Sequence, residues 1–313
     1  MTEATLIYNP NAGLLDLATP RQLEEGLREA GYAVEYQPTE SVEDLDAALE
    51  RPGEVVVTAG GDGTVRAAAL RLLHREVSLA IVPIGTANNI AHTLGIEGSP
   101  LEIVAGLENP RRYEFDVGHL DAPWGEDYFL ELFGLGFFAH AVACYGPEEE
   151  RTVPRAFWAV AEALADFQSH RLYMTLDGQD LSGDYLVVNL FNTPLLGPRL
   201  ELVQEADPGD GVLDLLCIGE GERAALLRSV TGLLSDGLEL PPHVDLRRGK
   251  RLEVEWDGFP VHVDAEVRPR GMDWPDEPGQ VKKGGTLTVE VRPGALRLLL
   301  PRLEHTVDTG TGG

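Results

Sequence analysis

A glycine-rich segment between a buried strand and a helix is the feature that most restricts the fold of this chain. Residues 54–58 form a short apolar run that predicts a strand enclosed within a sheet, and residues 65–74 have the pattern of a helix. Residues 60–64, with the sequence GGDGT, join the two. Because glycines let backbone N–H groups approach a phosphate and a helix N-terminus favours negative charge, the segment predicts a phosphate-binding loop. Its cradle would consist of Gly60, Gly61 and Gly63.

An acidic residue, Asp62, stands among these glycines. A carboxylate would repel phosphate unless it serves Mg²⁺ or a substrate hydroxyl, so Asp62 is the first candidate for a catalytic group. Thr64 can donate its hydroxyl to a phosphate oxygen. The alternative interpretation is an ordinary glycine turn in which Asp62 only caps the helix.

Two other loops occupy the same topological position. The segment PIGTANN, residues 83–89, follows a predicted strand at 78–83, and the segment NPNAG, residues 9–13, follows a predicted strand at 4–8. Neighbouring strand ends in a parallel sheet form the crevice in which nucleotides bind. The chain has no Walker sequence, so this crevice would not be a P-loop. The predicted nucleotide-binding residues of these two loops are Asn9, Pro10, Asn11, Gly85, Thr86, Asn88 and Asn89.

The pattern of the sequence changes near residue 120. The length of 313 residues and the hydrophobic content of 43% suffice for two domains with cores of their own. Strands alternate with helices over the first hundred residues, which predicts an α/β domain with a parallel sheet over residues 1–120. Later stretches such as residues 260–267 alternate apolar and polar side chains, as antiparallel strands do. They predict a β-rich domain over residues 121–294, interrupted by helices near residues 154–167 and 223–234.

The formal net charge of −27 excludes some classes of partner. Nucleic-acid binding needs clustered Lys and Arg, and an anionic membrane would repel so acidic a protein. The N-terminus lacks the pattern of a signal peptide, and no apolar run reaches the ~18–20 residues of a membrane helix. The two cysteines, Cys144 and Cys217, have neither metal-site nor redox spacing. These features predict a cytoplasmic protein that does not bind nucleic acid, and a homodimer is one option for its assembly.

The order of the motifs resembles the diacylglycerol kinase catalytic-domain family, which includes bacterial soluble lipid kinases and sphingosine kinases and is related to NAD kinases. The shared order is an Asn-Pro loop, then GGDGT, then a Pro-x-Gly-Thr-x-Asn loop. The resemblance extends over nearly the whole chain. Later segments that also resemble the family are residues 134–137, 197–198, 206–214 and 263–266.

This resemblance implies a fold and an activity. The N-terminal domain would have the parallel sheet of phosphofructokinase and NAD kinase, completed by residues 295–305, and the C-terminal domain would be an antiparallel β-sandwich. The activity would be transfer of the γ-phosphoryl group of ATP to a hydroxyl of diacylglycerol or a similar lipid. The cofactors would be ATP and Mg²⁺. The lipid would be met at a membrane surface during brief visits.

The resemblance also assigns roles to acidic residues. Asp62 would lie beside the transferring phosphate, and Glu266 would be the base for the lipid hydroxyl, with Asp264 supporting it. A structural Mg²⁺ would be held by Asp207, Asp210 and the carbonyl of Val212. For this last segment an acidic turn between strands is the alternative.

Several positions depart from the usual pattern of the family. Asn89 stands where the family usually has Asp, Arg66-Ala67 replaces Asn-Glu, and Ala265 replaces Gly. Two other functions therefore stay open. One is a kinase of a soluble acceptor, as in the NAD kinases, and the other is a nucleotide-binding regulatory protein without catalysis.

Overall fold

The chain passes back and forth between two units. A computed structural model describes residues 1–10, 18–39, 41–145, 163–197, 200–232, 241, 243–270 and 284–303. The first unit comprises Met1–Phe115, Gly197–Arg199 and Gly294–Gly313, and the second comprises Asp116–Leu196 and Leu200–Pro293. Within the described ranges, no helix combines the length and the hydrophobicity needed to span a membrane.

Strands and helices alternate through the first unit. In chain order they are β1 (Thr2–Tyr8), α1 (Pro20–Glu29), β2 (Tyr32–Pro38), α2 (Val42–Ala48), β3 (Val55–Gly60), α3 (Asp62–Leu72), β4 (Ser78–Pro83), α4 (Asn89–Thr93), α5 (Pro100–Gly106) and the start of β5 (Arg111–Ala122). The strands lie in the order β4-β3-β1-β2, and each neighbouring pair is parallel. The α/β class predicted for the N-terminal half is confirmed.

The centre of this sheet is fully enclosed. All six residues of β3 are buried, and the one hydroxyl among them, on Thr58, donates to the carbonyl of Ala80 at 3.2 Å. A buried polar group without such a partner would be costly. The sheet therefore gives the loops after its strands a rigid support.

Helix α3 begins earlier than the sequence pattern predicts. Its first residue is Asp62 rather than Val65, with Gly61 as the N-cap in an extended conformation. The helix can start directly after the strand because Gly61 accepts from the N–H groups of Thr64 and Val65 at 2.9 and 3.0 Å. An acidic side chain in the first turn also interacts favourably with the helix dipole. Asp62 and Thr64 are therefore residues of the first helical turn.

The second unit consists mainly of antiparallel strands. After β5 they are β6 (Gly125–Phe129), β7 (Leu132–Gly136), α6 (Phe137–Tyr145), β8 (His170–Leu172), β9 (Met174–Leu176), β10 (Gln179–Asp180), β11 (Gly183–Phe191), β12 (Leu195–Leu196), β13 (Leu200–Glu201), β14 (Leu213–Gly219), a 3-10 turn (Glu220–Glu222), α7 (Arg223–Gly232), β15 (Asp245–Gly249), β16 (Arg251–Glu255), β17 (Val261–Val263), β18 (Glu266–Arg268) and β19 (Thr286–Leu300). The end of β19 returns to the first unit, where Arg297 pairs in parallel with Ser78 of β4.

Two sheets of the second unit enclose a common core. One has the order β15-β14-β11-β7-β17-β18, and the other contains β10-β9-β16-β19. The inward side chains of both sheets form one buried cluster, as in a β-sandwich. Its members include Phe129, Phe133, Leu135, Leu252, Val254 and Trp256. The β-sandwich predicted for the C-terminal half is confirmed.

One predicted strand is a hairpin. The sequence pattern predicts a single strand over residues 260–267, but β17 and β18 pair with each other, with Val263 opposite Glu266. The intervening Asp264 has a φ of +52°, a left-handed conformation that Asp tolerates better than most side chains. The prediction of a single strand over residues 260–267 is therefore wrong.

Both predicted helices of the C-terminal half lie partly outside the described residues. Within the first, residues 163–166 are helical. The second corresponds to α7, which the structure describes as far as Gly232.

A histidine is enclosed within the β-sandwich unit. The side chain of His262 is 2% exposed, with Nδ1 at 3.1 Å from the carbonyl oxygen of Asp264 and Nε2 at 3.3 Å from Oδ1 of Asn189. Burial removes the water that would stabilise an imidazolium and lowers the pKa of His262 to about 4, although the bond to the Asp264 carbonyl opposes this shift. His262 is therefore neutral at neutral pH.

This burial predicts a pH dependence of stability. An unfolded histidine has a pKa near ~6.5, so between about pH 6.5 and 4 the unfolded chain binds more protons than the folded one. The free energy of unfolding should therefore fall by roughly 3 kcal/mol through this residue as the pH decreases across that window. His262→Gln should reduce the slope, measured by urea denaturation at several pH values. The exposed His243→Gln is the control, and equal slopes for wild type and His262→Gln would contradict the prediction.

Candidate active site

Three loops meet at the carboxyl edge of the parallel sheet in the first unit. They follow the adjacent strands β1, β3 and β4. Backbone hydrogen bonds join the loops where they begin. The N–H of Asn9 donates to the carbonyl of Ala59 at 3.0 Å, and the N–H of Ile84 donates to the carbonyl of Gly60 at 3.1 Å. The loops for which the sequence predicts phosphate contacts therefore share one edge.

Side chains connect the first loop to the second. The amide Nδ2 of Asn9 donates to Oγ1 of Thr64 at 2.9 Å. Because that oxygen accepts, the hydroxyl of Thr64 can still donate its own proton to a ligand. A Cβ on Gly60 would lie 2.5 Å from the Cβ of Thr64, so glycine is required at this position.

Two glycines bring the second and third loops into contact. A Cβ on Gly85 would lie only 2.4 Å from the Cα of Gly61. The third loop is closed by Asn88, which has a φ of +53° and exchanges hydrogen bonds with Gly85: Oδ1 accepts at 3.0 Å and Nδ2 donates at 2.8 Å. The side chain of Asn88, predicted to contact nucleotide, thus shapes the loop itself.

Asp62 lies where these loops meet. Its Oδ1 accepts from the N–H of Ile90, at the start of α4, at 3.1 Å. Among the residues that the structure describes, no hydrogen bond is made by Oδ2. One carboxylate oxygen is therefore fixed by the protein, while the other can bind a ligand at the glycine-rich edge.

The remaining predicted residues of this edge differ in exposure. Asn89 is 5% exposed, and its Nδ2 donates to the carbonyl of Gly197 at 2.8 Å. Thr86 and Gly63 are exposed, and a Cβ on Gly63 would meet nothing within 4 Å. Pro10 is half-buried. Asn11 lies outside the described residues.

Asp264, in the second unit, is held by backbone amides. The buried carboxylate accepts from the N–H groups of residues 130, 131 and 132 at 3.2, 2.9 and 3.2 Å. These bonds join the β17–β18 hairpin to the segment between β6 and β7. Asp264 therefore fixes the turn of the hairpin that also carries Glu266.

Glu266 is paired with two arginines. Its Oε2 accepts from Arg268 and from Arg270, each at 2.6 Å, and its side chain is 43% exposed. Arg268 is 3% exposed and also pairs with Asp127. The two guanidinium groups stabilise the negative charge of Glu266 and fix its direction.

The predicted metal ligands are occupied by other partners. Oδ1 of Asp210 accepts from the N–H of Val212 at 3.1 Å, and its other oxygen pairs with Arg248. Arg248 also lies 3.3 Å from Asp214, and Asp207 accepts from a backbone N–H at 3.0 Å. Across the described part of the chain, no group of three His, Cys, Asp or Glu side chains is arranged to hold a metal ion. The arrangement fits an arginine, and it does not fit the predicted Mg²⁺ site.

Burial also shifts the pKa of Asp214, the second carboxylate beside Arg248. Burial, with the negative charge of Glu205, raises the pKa of Asp214 to about 6. Asp214 stands directly opposite Arg248 in the β14–β15 register. A guanidinium therefore stands beside a carboxylate that the fold holds away from water.

Sequence reasoning missed several contacts of these sites. Arg268 stands two residues after Glu266, on the same face of β18, and this spacing could have indicated the ion pair between them. The pairing of Arg248 with Asp210 joins residues 38 positions apart and required the strand register. The carbonyl of Gly197 leaves no signal in the sequence, because every residue has one.

Comparisons with known proteins identify the family of both halves of the chain. Residues 3–120 match the diacylglycerol kinase catalytic domain, and residues 151–300 match the YegS C-terminal NAD kinase beta sandwich-like domain. A protein of Pseudomonas savastanoi pv. phaseolicola named "probable lipid kinase YegS-like" is 29% identical over 263 residues, which cover 79% of this chain and 75% of that one. A protein of Stenotrophomonas maltophilia with the same name is 27% identical over 290 residues, covering 87% and 88%.

A solved structure shares the fold. The crystal structure of a diacylglycerol kinase from Bacillus anthracis has a TM-score of 0.66 at 17% identity, covering 96% of this chain and 97% of that one. The resemblance inferred from the motifs is thus confirmed over both halves of the sequence. The chain belongs to the diacylglycerol kinase catalytic-domain family, whose members are phosphotransferases, and it carries the YegS-type C-terminal domain.

Proposed function

We propose that this protein transfers the γ-phosphoryl group of ATP to a hydroxyl of diacylglycerol or a similar lipid. The observation that carries the proposal is Asp62, which begins the helix after the glycine loop: one of its oxygens accepts from the N–H of Ile90, and the other accepts no hydrogen bond from the described residues. Phosphoryl transfer depends mainly on positioning and charge stabilisation, which such an edge can supply. The names of the relatives support a lipid as the acceptor.

The nucleotide phosphates would lie along the contact between Gly61 and Gly85. At this close backbone approach no Cβ stands between the two glycines, so backbone N–H groups beside them can reach phosphate oxygens. Thr64 would add its hydroxyl, and Asn9 would hold Thr64 in place. Helix α3, which starts at Asp62, presents its positive end to the same ligand.

Mg²⁺ bound with the nucleotide would neutralise charge on the phosphate oxygens. Oδ2 of Asp62 is a hard oxygen donor of the kind that this ion prefers, so Asp62 fits a role in holding it.

Glu266 is the proposed base for the acceptor hydroxyl. Its carboxylate is oriented by Arg268 and Arg270. A loose transition state needs only modest help from a base, which a carboxylate can supply. Asp264 supports Glu266 by fixing the hairpin that carries it, through the three backbone amides that it binds.

The lipid would be met during brief visits of a cytoplasmic protein to a membrane surface. The net charge of −27 opposes stable binding to anionic lipid. Acceptor screening with radiolabelled ATP should therefore use diacylglycerol in neutral mixed micelles, total extracted lipid, and NAD in parallel. Labelled lipid supports the proposal. Label in NAD alone would indicate a soluble acceptor, and nucleotide binding without any transfer would indicate a regulatory protein.

The first prediction from this proposed function concerns Asp62→Asn. The amide oxygen of Asn can still accept from Ile90, so the loop should persist while the negative charge is lost. We expect kcat to fall by at least about 10²-fold, with the melting temperature almost unchanged. The assay is transfer of radiolabelled phosphate, with calorimetry for stability. Asp46→Asn, which removes an exposed carboxylate paired with Arg71, is the control, and comparable activity in the two variants would refute the assignment.

The second prediction concerns Glu266→Gln. Removing the base should lower kcat by about 10²-fold or more while leaving the affinity for ATP nearly unchanged. The variant also loses two ion pairs, so Glu253→Gln, which loses an ion pair to Arg251 in the same unit, controls for that effect. Steady-state kinetics and calorimetric titration with ATP provide the measurement. A kcat near that of wild type would exclude Glu266 as the base.

The third prediction concerns the acidic segment at Asp210. Because Arg248 already supplies a positive charge to Asp210 and Asp214, EDTA should leave the melting temperature of the wild type unchanged. Arg248→Met leaves two carboxylates without their cation, one of them buried, and should lower the melting temperature by about 2–6 °C. Millimolar Mg²⁺ should restore part of this loss.

The neighbouring arginine offers a matched control for this test. Arg247 lies on the same strand and pairs with Asp245, and both side chains are more than a third exposed. Arg247→Met should therefore change the melting temperature little, with or without Mg²⁺. A fall in the wild-type melting temperature on adding EDTA would show that the segment holds a metal ion after all.

A further inference from the structure

The buried amide of Asn89 joins helix α4 to a segment from the second half of the sequence. Asn89 is 5% exposed, and Nδ2 donates to the carbonyl oxygen of Gly197 at 2.8 Å. Gly197 follows Leu196, the last residue of that part of the second unit, and itself belongs to the first unit. The contact therefore lies within the first unit, beside the loop that contains Gly85.

The chemistry of this contact requires an amide. A carbonyl oxygen can only accept a hydrogen bond, and the NH₂ group of Asn89 supplies the donor. A carboxylate in the same position would place two acceptors about 2.8 Å apart in a buried place, at a cost of both desolvation and repulsion. Asn89 is thus a required donor, and its difference from the usual Asp of the family has a local cause.

The next residue connects this contact to Asp62. The N–H of Ile90, on the peptide unit that follows Asn89, donates to Oδ1 of Asp62 at 3.1 Å. The same turn is held from its other side by Asn88, which is bound to Gly85. A shift of Asn89 would therefore move the only N–H group that, among the described residues, fixes the Asp62 carboxylate.

We propose that Asn89 is a positioning residue for phosphoryl transfer. Its amide, anchored on the carbonyl of Gly197, aims the N–H of Ile90 at Asp62 and so holds the carboxylate at the phosphate edge. The inference rests on the proposed function, in which Asp62 acts on the transferring group. It adds a residue that acts through Asp62 without touching the substrate.

Two substitutions test this role. Asn89→Asp keeps the size of the side chain and replaces the donor with an acceptor, and it should lower kcat by about 10- to 100-fold. Asn89→Ala removes the donor without adding charge and should give a smaller loss. In both variants the ATP dissociation constant should stay within about threefold of wild type, with unchanged binding stoichiometry by calorimetry.

A stability control separates positioning from loss of folded protein. Val104→Ala creates a cavity at a buried position on α5, outside the loops of the site, and should lower the melting temperature while leaving kcat unchanged. Wild-type kcat in both Asn89 variants would overturn the proposal. So would a loss of nucleotide stoichiometry that accounts for the whole loss of kcat.

Hydrogen exchange gives a result that does not depend on catalysis. The N–H of Ile90 should exchange faster in Asn89→Asp than in wild type, while peptides from α1 should be unchanged. Equal exchange at Ile90 would refute the connection between Gly197 and Asp62. If the wild type transfers phosphate to no acceptor, the proposed function fails, whereas this exchange measurement still decides whether Asn89 holds the turn.

Discussion

The contact between the backbones of Gly61 and Gly85 is the constraint on which the candidate site depends. These residues follow adjacent parallel strands, and a Cβ on Gly85 would lie 2.4 Å from the Cα of Gly61. Only at this separation can Ile90 reach Asp62, because both belong to turns that start at the two glycines. The buried strand β3 fixes one side of the contact. A side chain at Gly85 would force the loops apart and open the edge.

The three candidate catalytic carboxylates differ in the number of hydrogen-bond donors that they bind, and this difference separates their proposed roles. Asp264 accepts from three backbone N–H groups, and these hydrogen bonds hold the hairpin in place. Glu266 is held at one oxygen by two guanidinium groups. Asp62 has a single backbone donor, so it keeps the most capacity for a ligand. Phosphoryl transfer needs a carboxylate that is held in place and still has an oxygen for a ligand. Of these three carboxylates, Asp62 meets that requirement best.

Much of the fold was predictable because it follows from local patterns. Apolar runs, helix caps and glycine motifs indicated the parallel α/β unit, the antiparallel β-sandwich and the loops that meet at Gly61 and Gly85. The hairpin at Asp264 was missed because its turn is stabilised by amides more than 130 residues away in sequence. The cation beside Asp210 was missed for the same reason, since Arg248 reaches it only through strand pairing. Long-range partners of single side chains leave no periodic signal.

The electrostatics of the site give a physical reason for an amide at position 89. A chain of net charge −27 repels a polyanionic nucleotide. At physiological ionic strength, however, salt largely screens this repulsion at distances beyond about 8 Å. Affinity for phosphate therefore depends on the groups within the loops themselves. Residues 60–64 and 85–89 contain one carboxylate, that of Asp62, and Asn88 and Asn89 bring dipoles without charge. With Asn89 bound to Gly197, the edge keeps the one negative group that the proposed reaction requires, and the buried turn holds no second carboxylate whose charge would have to be desolvated.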